Sequence, residues 1–191
     1  MKFAEKIIVS PEIQQCTPVI VAGANTGVGK TEVAIDAIVQ YRESMLSSTI
    51  NDNVPLALPL AIYAVPTHRL ANELAGRFEN AGLSAGIWRG RTSDHPVHQK
   101  EKMCRKPDQV KKVADHGLSV SKTMCRLKTG DKEYFCEHFS NCAYQQQVDE
   151  LSRKDVVIVA HDSLFYEKPE FGEPRLLIID EIFYATGLRG V

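Results

Sequence analysis

Hydrophobic positions along the chain fall into short unbroken runs separated by segments of helical spacing. Residues 17–22 are an apolar run entering a glycine-rich turn, after which Val33, Ala34, Ala37, Ile38 and Tyr41 recur along one face of a helix spanning 31–45. This predicts strand, loop, helix. Residues 47–55 are rich in Ser and Asn and predict a surface loop, and residues 60–65 predict a second strand. Leu70, Leu74 and Phe78 recur every four residues between His68 and Asn80, with Thr67 placed to cap that helix and Gly82 to end it. A third strand is expected at 83–88, a fourth at 156–160, a short helix around 163–166 and a fifth strand at 176–179. The runs at 156–160 and 176–179 do not alternate, as expected of strands covered on both faces of a parallel sheet. The chain is therefore expected to be an α/β protein with one mostly parallel sheet. Residues 1–90 and 151–191 form its main body, and residues 91–150, where apolar runs thin out, form a small Cys-rich insertion.

Composition narrows the classes. A chain of 191 residues has room for one domain with a modest insertion, and 43% hydrophobic with 25% charged residues excludes wholesale disorder. The formal net charge of −1 advertises neither nucleic acid nor membrane, so basic surface must be local. It is local: residues 100–128 hold nine Lys and Arg against three Asp and Glu. The apolar run of Ile7, Ile8 and Val9 is too short for a signal-peptide core, and the longest apolar stretch, 56–65, is interrupted by Pro59 and falls short of the ~20 residues a spanning helix needs. A cytoplasmic location with no membrane partner is expected. In a reducing compartment the five cysteines are ligands or free thiols rather than a disulfide framework.

The turn after the first run reads Ala24, Asn25, Thr26, Gly27, Val28, Gly29, Lys30, Thr31. Gly27 and Gly29 allow successive N–H groups to face inward, and the helix starting near Lys30 adds its positive end, so the loop is built to hold phosphate. Lys30 would reach the β- and γ-phosphates of ATP and Thr31 would place its hydroxyl on Mg²⁺. A carboxylate at the end of a buried strand is the usual second holder of that ion, and Asp180 ends the run 176–179. Glu181 beside it is the candidate base for the attacking water.

The pattern A-x-x-G-x-G-K-T together with the Asp180-Glu181 pair resembles motifs I and II of superfamily 2, DEAD/DEAH-like, helicases. The stretch 64–71, with Pro66, Thr67 and Arg69, resembles motif Ia, which in that family follows a strand and touches a single-stranded backbone. The resemblance implies a RecA-like P-loop NTPase domain that couples ATP hydrolysis to movement on single-stranded or forked DNA, with Thr67 and Arg69 on phosphates. It departs from the family at Ile182-Phe183, where many relatives carry Ala-His or Ala-Asp. It also implies a second RecA-like domain contributing an arginine to the γ-phosphate; none follows Glu181 in this sequence, which is expected to be part of a larger motor.

Cys104, Cys125, Cys136 and Cys142 are separated by twenty, ten and five intervening residues, with no C-x-x-C. Loose Cys₄ spacing suits a [4Fe–4S] cluster or Zn²⁺, since thiolates bind both. His116 and His138 could substitute in a zinc site, whereas Cys16, far from the others, reads as a small buried residue. The segment 134–145 resembles the cluster insertion of XPD-type helicases, which implies the iron–sulfur alternative. Tyr134, Phe135, Phe139 and Tyr144 could stack on bases or pack around such a centre. Two other functions compete: a metal-stapled nucleic-acid-binding module with a vestigial or regulatory nucleotide site, and an unrelated phosphate-loop kinase or transferase.

Overall fold

The computed structural model describes residues 29–52, 59–98, 100–165 and 174–180. The first expected strand, the loop residues 24–28, Cys16 and Glu181 lie outside the described residues. Within them the chain runs α1 (Lys30–Asp52), β1 (Ala61–Val65), α2 (His68–Asn80), β2 (Ala85–Ile87), α3 (Pro107–Asp115), β3 (Arg126–Thr129), β4 (Lys132–Phe135), α4 (Ala143–Leu151), β5 (Val156–Ala160) and β6 (Leu176–Ile179). Strands β2, β5, β1 and β6 form a parallel sheet in that order. The α/β, RecA-like class expected from the sequence is the one observed.

The sheet is covered on both faces at β1 and β5, which explains the unalternating run at 156–160; the expectation is corrected for β6, where no residue is buried and Leu177 is 55% exposed. Ala61, Tyr63 and Val65 of β1 face α1 and α2, packing with Ile35, Ile38, Leu74 and Phe78. Ala64 faces the other way, joining Val157 and Val159 of β5 against Trp88, Tyr144 and Leu151. Tyr144 and Leu151 belong to α4, so the last helix of the stretch 91–150 is a layer of the main fold. Gln147 on that helix is buried and clips the chain beyond β2 at both ends: its Oε1 accepts from Arg89 N (2.8 Å) and its Nε2 donates to Arg89 O (2.9 Å).

A buried carboxylate ties the strand starts together. Asp155, just before β5, accepts from both the N–H and the hydroxyl of Ser84 through Oδ2 (2.7 Å each) and pairs with Arg42 of α1 through Oδ1 (3.1 Å). Its backbone oxygen takes the N–H groups of Leu60 and Ala61. An acid buried at 6% exposure needs such partners, because a lone charge would be expelled from the core.

Three local expectations change. The loop expected at 47–55 is helical as far as Asp52, since Ser, Thr and Asn lower helix propensity only slightly and the sequence offers no Gly or Pro between Lys30 and Pro55. The strand expected at 83–88 shortens to Ala85–Ile87 because Ser84 is committed to Asp155. The short helix after β5 is 3₁₀ and spans His161–Phe165.

Gly86 marks where α4 rests on the sheet: a Cβ there would lie 2.2 Å from Leu151 Cδ2. Gly86→Ala should therefore lower the unfolding free energy by about 1–3 kcal/mol through overpacking. A thermal melt will check this, with Leu151→Ala in the same chain expected to cancel part of the loss rather than add to it.

Candidate functional site

All four main strands are parallel, so their C-terminal ends share one edge, where open α/β sheets place ligands. At this edge α1 begins. Gly29 has φ of +80°, a left-handed backbone that suits glycine, and its carbonyl accepts from Val33 N (3.1 Å) to start the helix. Lys30 and Thr31 thus form the first turn of a 23-residue helix, at the positive end of its dipole.

Asp180 follows β6, with its N–H bonded to Ala64 O at 2.9 Å. Between Asp180 and α1 stands Tyr63, 2% exposed, with its ring edge-on to Phe78 at 5.5 Å. The Tyr63 hydroxyl donates to Asp180 Oδ2 at 3.3 Å and accepts from the Thr31 hydroxyl. Burial, together with the Asp180 charge, pushes the Tyr63 pKa up to about 12 against the Thr31 hydrogen bond, which opposes the shift. The phenol therefore keeps its proton at neutral pH and remains a donor to the carboxylate. Thr31 and Asp180, 149 positions apart, are gathered on one oxygen. A hydroxyl and a carboxylate are hard oxygen donors of the kind Mg²⁺ takes, so the residues present fit that ion.

Thr67 caps α2, its Oγ1 accepting from Leu70 N at 3.4 Å, and is exposed, as is Arg69. Both stand just beyond the end of β1, on the same edge as Asp180. Near them His68 is half-buried, its pKa lowered by burial first and then by Arg89. Arg89 Nη2 reaches Asn72 Oδ1 at 3.5 Å, which gathers Asn72 and Arg89 beside the start of α2.

The four cysteines also meet. Cys125 ends a π-helical turn, Ser121–Cys125, and enters the β3–β4 hairpin, whose pairing of Arg126 with Phe135 brings Cys125 and Cys136 opposite each other at its base. Cys136 N donates to Cys125 O at 3.1 Å. The hairpin closes through Gly130, with φ of +58°, and Asp131, a two-residue loop of the kind that favours tight β-turns. Cys104 and Cys142 form the second pair and are hydrogen-bonded to each other. That bond, with the Gln145 and Tyr144 N–H groups at the start of α4, lowers the Cys142 pKa, and raises that of Cys104. All four cysteines line a single small cavity of about 20 Å³, beside Val110, Val120, Met124 and Phe139. No three of the described His, Cys, Asp or Glu side chains converge on a point as ligands of one ion do. The thiols surround a space. His138 also lines it, and His116 is instead bonded to Lys112 O at 2.7 Å.

Of the aromatic residues singled out in the sequence, Tyr144 takes the packing alternative: it is 5% exposed and edge-on to Trp88 at 4.9 Å. Phe139 packs on Phe135 at 5.0 Å, while Tyr134 and Phe135 are about half exposed. Sequence reading missed Tyr63, Arg91 and Gln147. A hydroxyl inside an apolar strand was the available signal for the first, because a buried phenol requires a partner.

No helix among the described residues is long and apolar enough to cross a membrane. Residues 9–128 match the family described as DEAD/DEAH box helicase. No curated protein and no solved structure matches the chain.

The Tyr63 shift gives a prediction with a definite sign. Its folded pKa is above the unfolded value near 10, so the protonated phenol stabilises the fold fully below pH 10, and stability falls as pH rises from about 10 towards 12. In an ultraviolet titration one of the six tyrosines should ionise late, and Tyr63→Phe should remove that late step.

Proposed function

The chain belongs to the DEAD/DEAH box helicase family, and on that footing we propose that its nucleotide-dependent motor acts on single-stranded or forked DNA through the residues gathered at the C-terminal edge of its sheet. The family implies ATP and Mg²⁺. The observation that carries the assignment to residues is the meeting of Thr31 and Asp180 on the Tyr63 hydroxyl. Mg²⁺, when bound, offsets the charge of the β- and γ-phosphates. Thr31 and Asp180 are the residues that hold it. Residues 24–29 wrap the phosphates with backbone N–H groups, Lys30 adds a mobile cation, and Glu181 orients and deprotonates the attacking water. Thr67 and Arg69 take the phosphates of one DNA strand, close enough along the edge for nucleotide state to alter their position. A second RecA-like domain supplies the arginine that completes the γ-phosphate site.

The four-cysteine cavity is a [4Fe–4S] site in this proposal, with Zn²⁺ as the alternative. Ligation by cysteine alone without C-x-x-C, together with the resemblance of residues 134–145 to an XPD-type insertion, favours the cluster, and all four cysteines line one cavity. The role is structural first. The insertion's hairpin exposes all its residues, so tying its base to Cys104 and Cys142 supplies order that its small core does not.

Lys30→Ala should weaken ATP binding roughly ten- to hundredfold, as expected for losing a hydrogen-bonded charge on phosphate, with unchanged circular dichroism. Fluorescence titration with a labelled nucleotide checks it, and unaltered affinity would refute the phosphate-loop assignment. Asp180→Asn should retain nucleotide binding without Mg²⁺ yet lose the gain that Mg²⁺ gives. For the metal, anaerobically purified protein should contain about four irons and as much labile sulfide per chain; one zinc and no iron selects the alternative.

A further inference from the structure

Arg91 lies outside the phosphate edge and outside the four cysteines, yet its guanidinium is spent entirely on their surroundings. Nη1 donates to the Tyr144 hydroxyl at 3.0 Å, and Cζ sits 3.8 Å from the Tyr144 ring centre. Nη2 donates to Ser121 Oγ at 2.7 Å and stands 4.0 Å from Cys125 Sγ. The Arg91 carbonyl accepts from Cys104 N at 2.9 Å. One residue therefore touches the backbone of one cysteine, the sulfur of a second, the π-helical turn that carries it and, in Tyr144, the helix that Cys142 caps.

What this cation lacks is an anion. Among the described residues it forms no ion pair with a carboxylate, and its buried Nε has no hydrogen-bond partner. Of the two cations that line the cavity, Lys106 is already paired with Glu137 at 2.8 Å and Arg105 is exposed to solvent. A half-buried guanidinium held over an aromatic ring gains from that contact, but its charge is met only by an opposite charge nearby. Four metal-bound thiolates outweigh the positive charge of a zinc ion or of an iron–sulfur core, so a loaded site is anionic. That anion is the charge Arg91 faces.

We propose that Arg91 is the counter-charge of the four-cysteine centre: a positioning residue that holds Cys125 towards the metal group, slows its loss and, if that group is a cluster, raises its reduction potential by donating to sulfur. This rests on the metal reading above. Tyr144 and Ser121 are the fixed points that aim the guanidinium, and since Tyr144 packs on Trp88 in the core, they anchor the centre to the body of the sheet.

The test uses the whole chain, purified anaerobically with its metal. Arg91→Met keeps the apolar stem and deletes the charge and donors; Arg91→Lys keeps the charge; Arg89→Gln is the neighbouring control. Release of iron to a ferrous chelator, or of zinc to EDTA, is followed with time. Arg91→Met should lose metal about 10–100-fold faster than wild type, Arg91→Lys should recover part of the difference, and Arg89→Gln should match wild type. In the iron form the midpoint potential of Arg91→Met should also fall. Equal loss of retention in Arg91→Lys and Arg91→Met, or release from Arg91→Met at the wild-type rate, overturns the proposal while leaving the metal centre standing. A wild-type chain holding neither iron nor zinc overturns the metal reading and this assignment with it.

Discussion

A phenol in the middle of a buried strand must give its O–H to something, and the choice made here organises the molecule. Tyr63 is wedged against Phe78 on the helix side of the sheet and can neither swing out to water nor leave its hydroxyl unpaired without cost. It bonds to Asp180 and accepts from Thr31. Because β1 and β6 are neighbours in register, with Tyr63 beside Ile178, the carboxylate one step past β6 is brought over the ring's far end. The meeting of Thr31 and Asp180 at the sheet's edge is thus organised by a core residue.

The insertion follows a similar logic with weaker means. Its hairpin has little to bury, so the positions that matter are set from the two ends: Cys104 and Cys142 at the border of the main core, Cys125 and Cys136 across the hairpin's base. Met103, next to Cys104, is 3% exposed within the core cluster shared with Trp88 and Tyr144. The cysteine-rich segment is therefore rooted in the second face of the sheet, with α4 serving both.

Much of this could be read from the sequence because its signals are local. Thr67 and the four-residue spacing of Leu70, Leu74 and Phe78 fix α2, and the unbroken apolar runs give β5 and β6, although burial on both faces explains the run only for β5. The cysteine set was visible through its density in one window. The end of α1 was not, because polar residues alone do not stop a helix in the way Gly or Pro does. Nor were the long-range polar contacts. Arg91 and Tyr144 are 53 residues apart and Tyr63 and Asp180 are 117 apart, and no periodicity in either neighbourhood points to the other. For the same reason the sequence left Tyr144 open between stacking and packing until the strand it covers is known.

The length of α1 has one more consequence. At about 1.5 Å per residue, its 23 residues make a rod of roughly 34 Å, twice the ~17 Å of a five-residue strand. Arg42, its link to Asp155 at the strand starts, lies just past its midpoint. Just beyond it Glu43, Ser44, Leu46 and Ser47 are exposed, so this stretch owes its helicity to backbone bonds more than to packing. The rod is thus pinned twice, to the strand starts through Arg42 and to the opposite edge of the sheet through Thr31 and Tyr63.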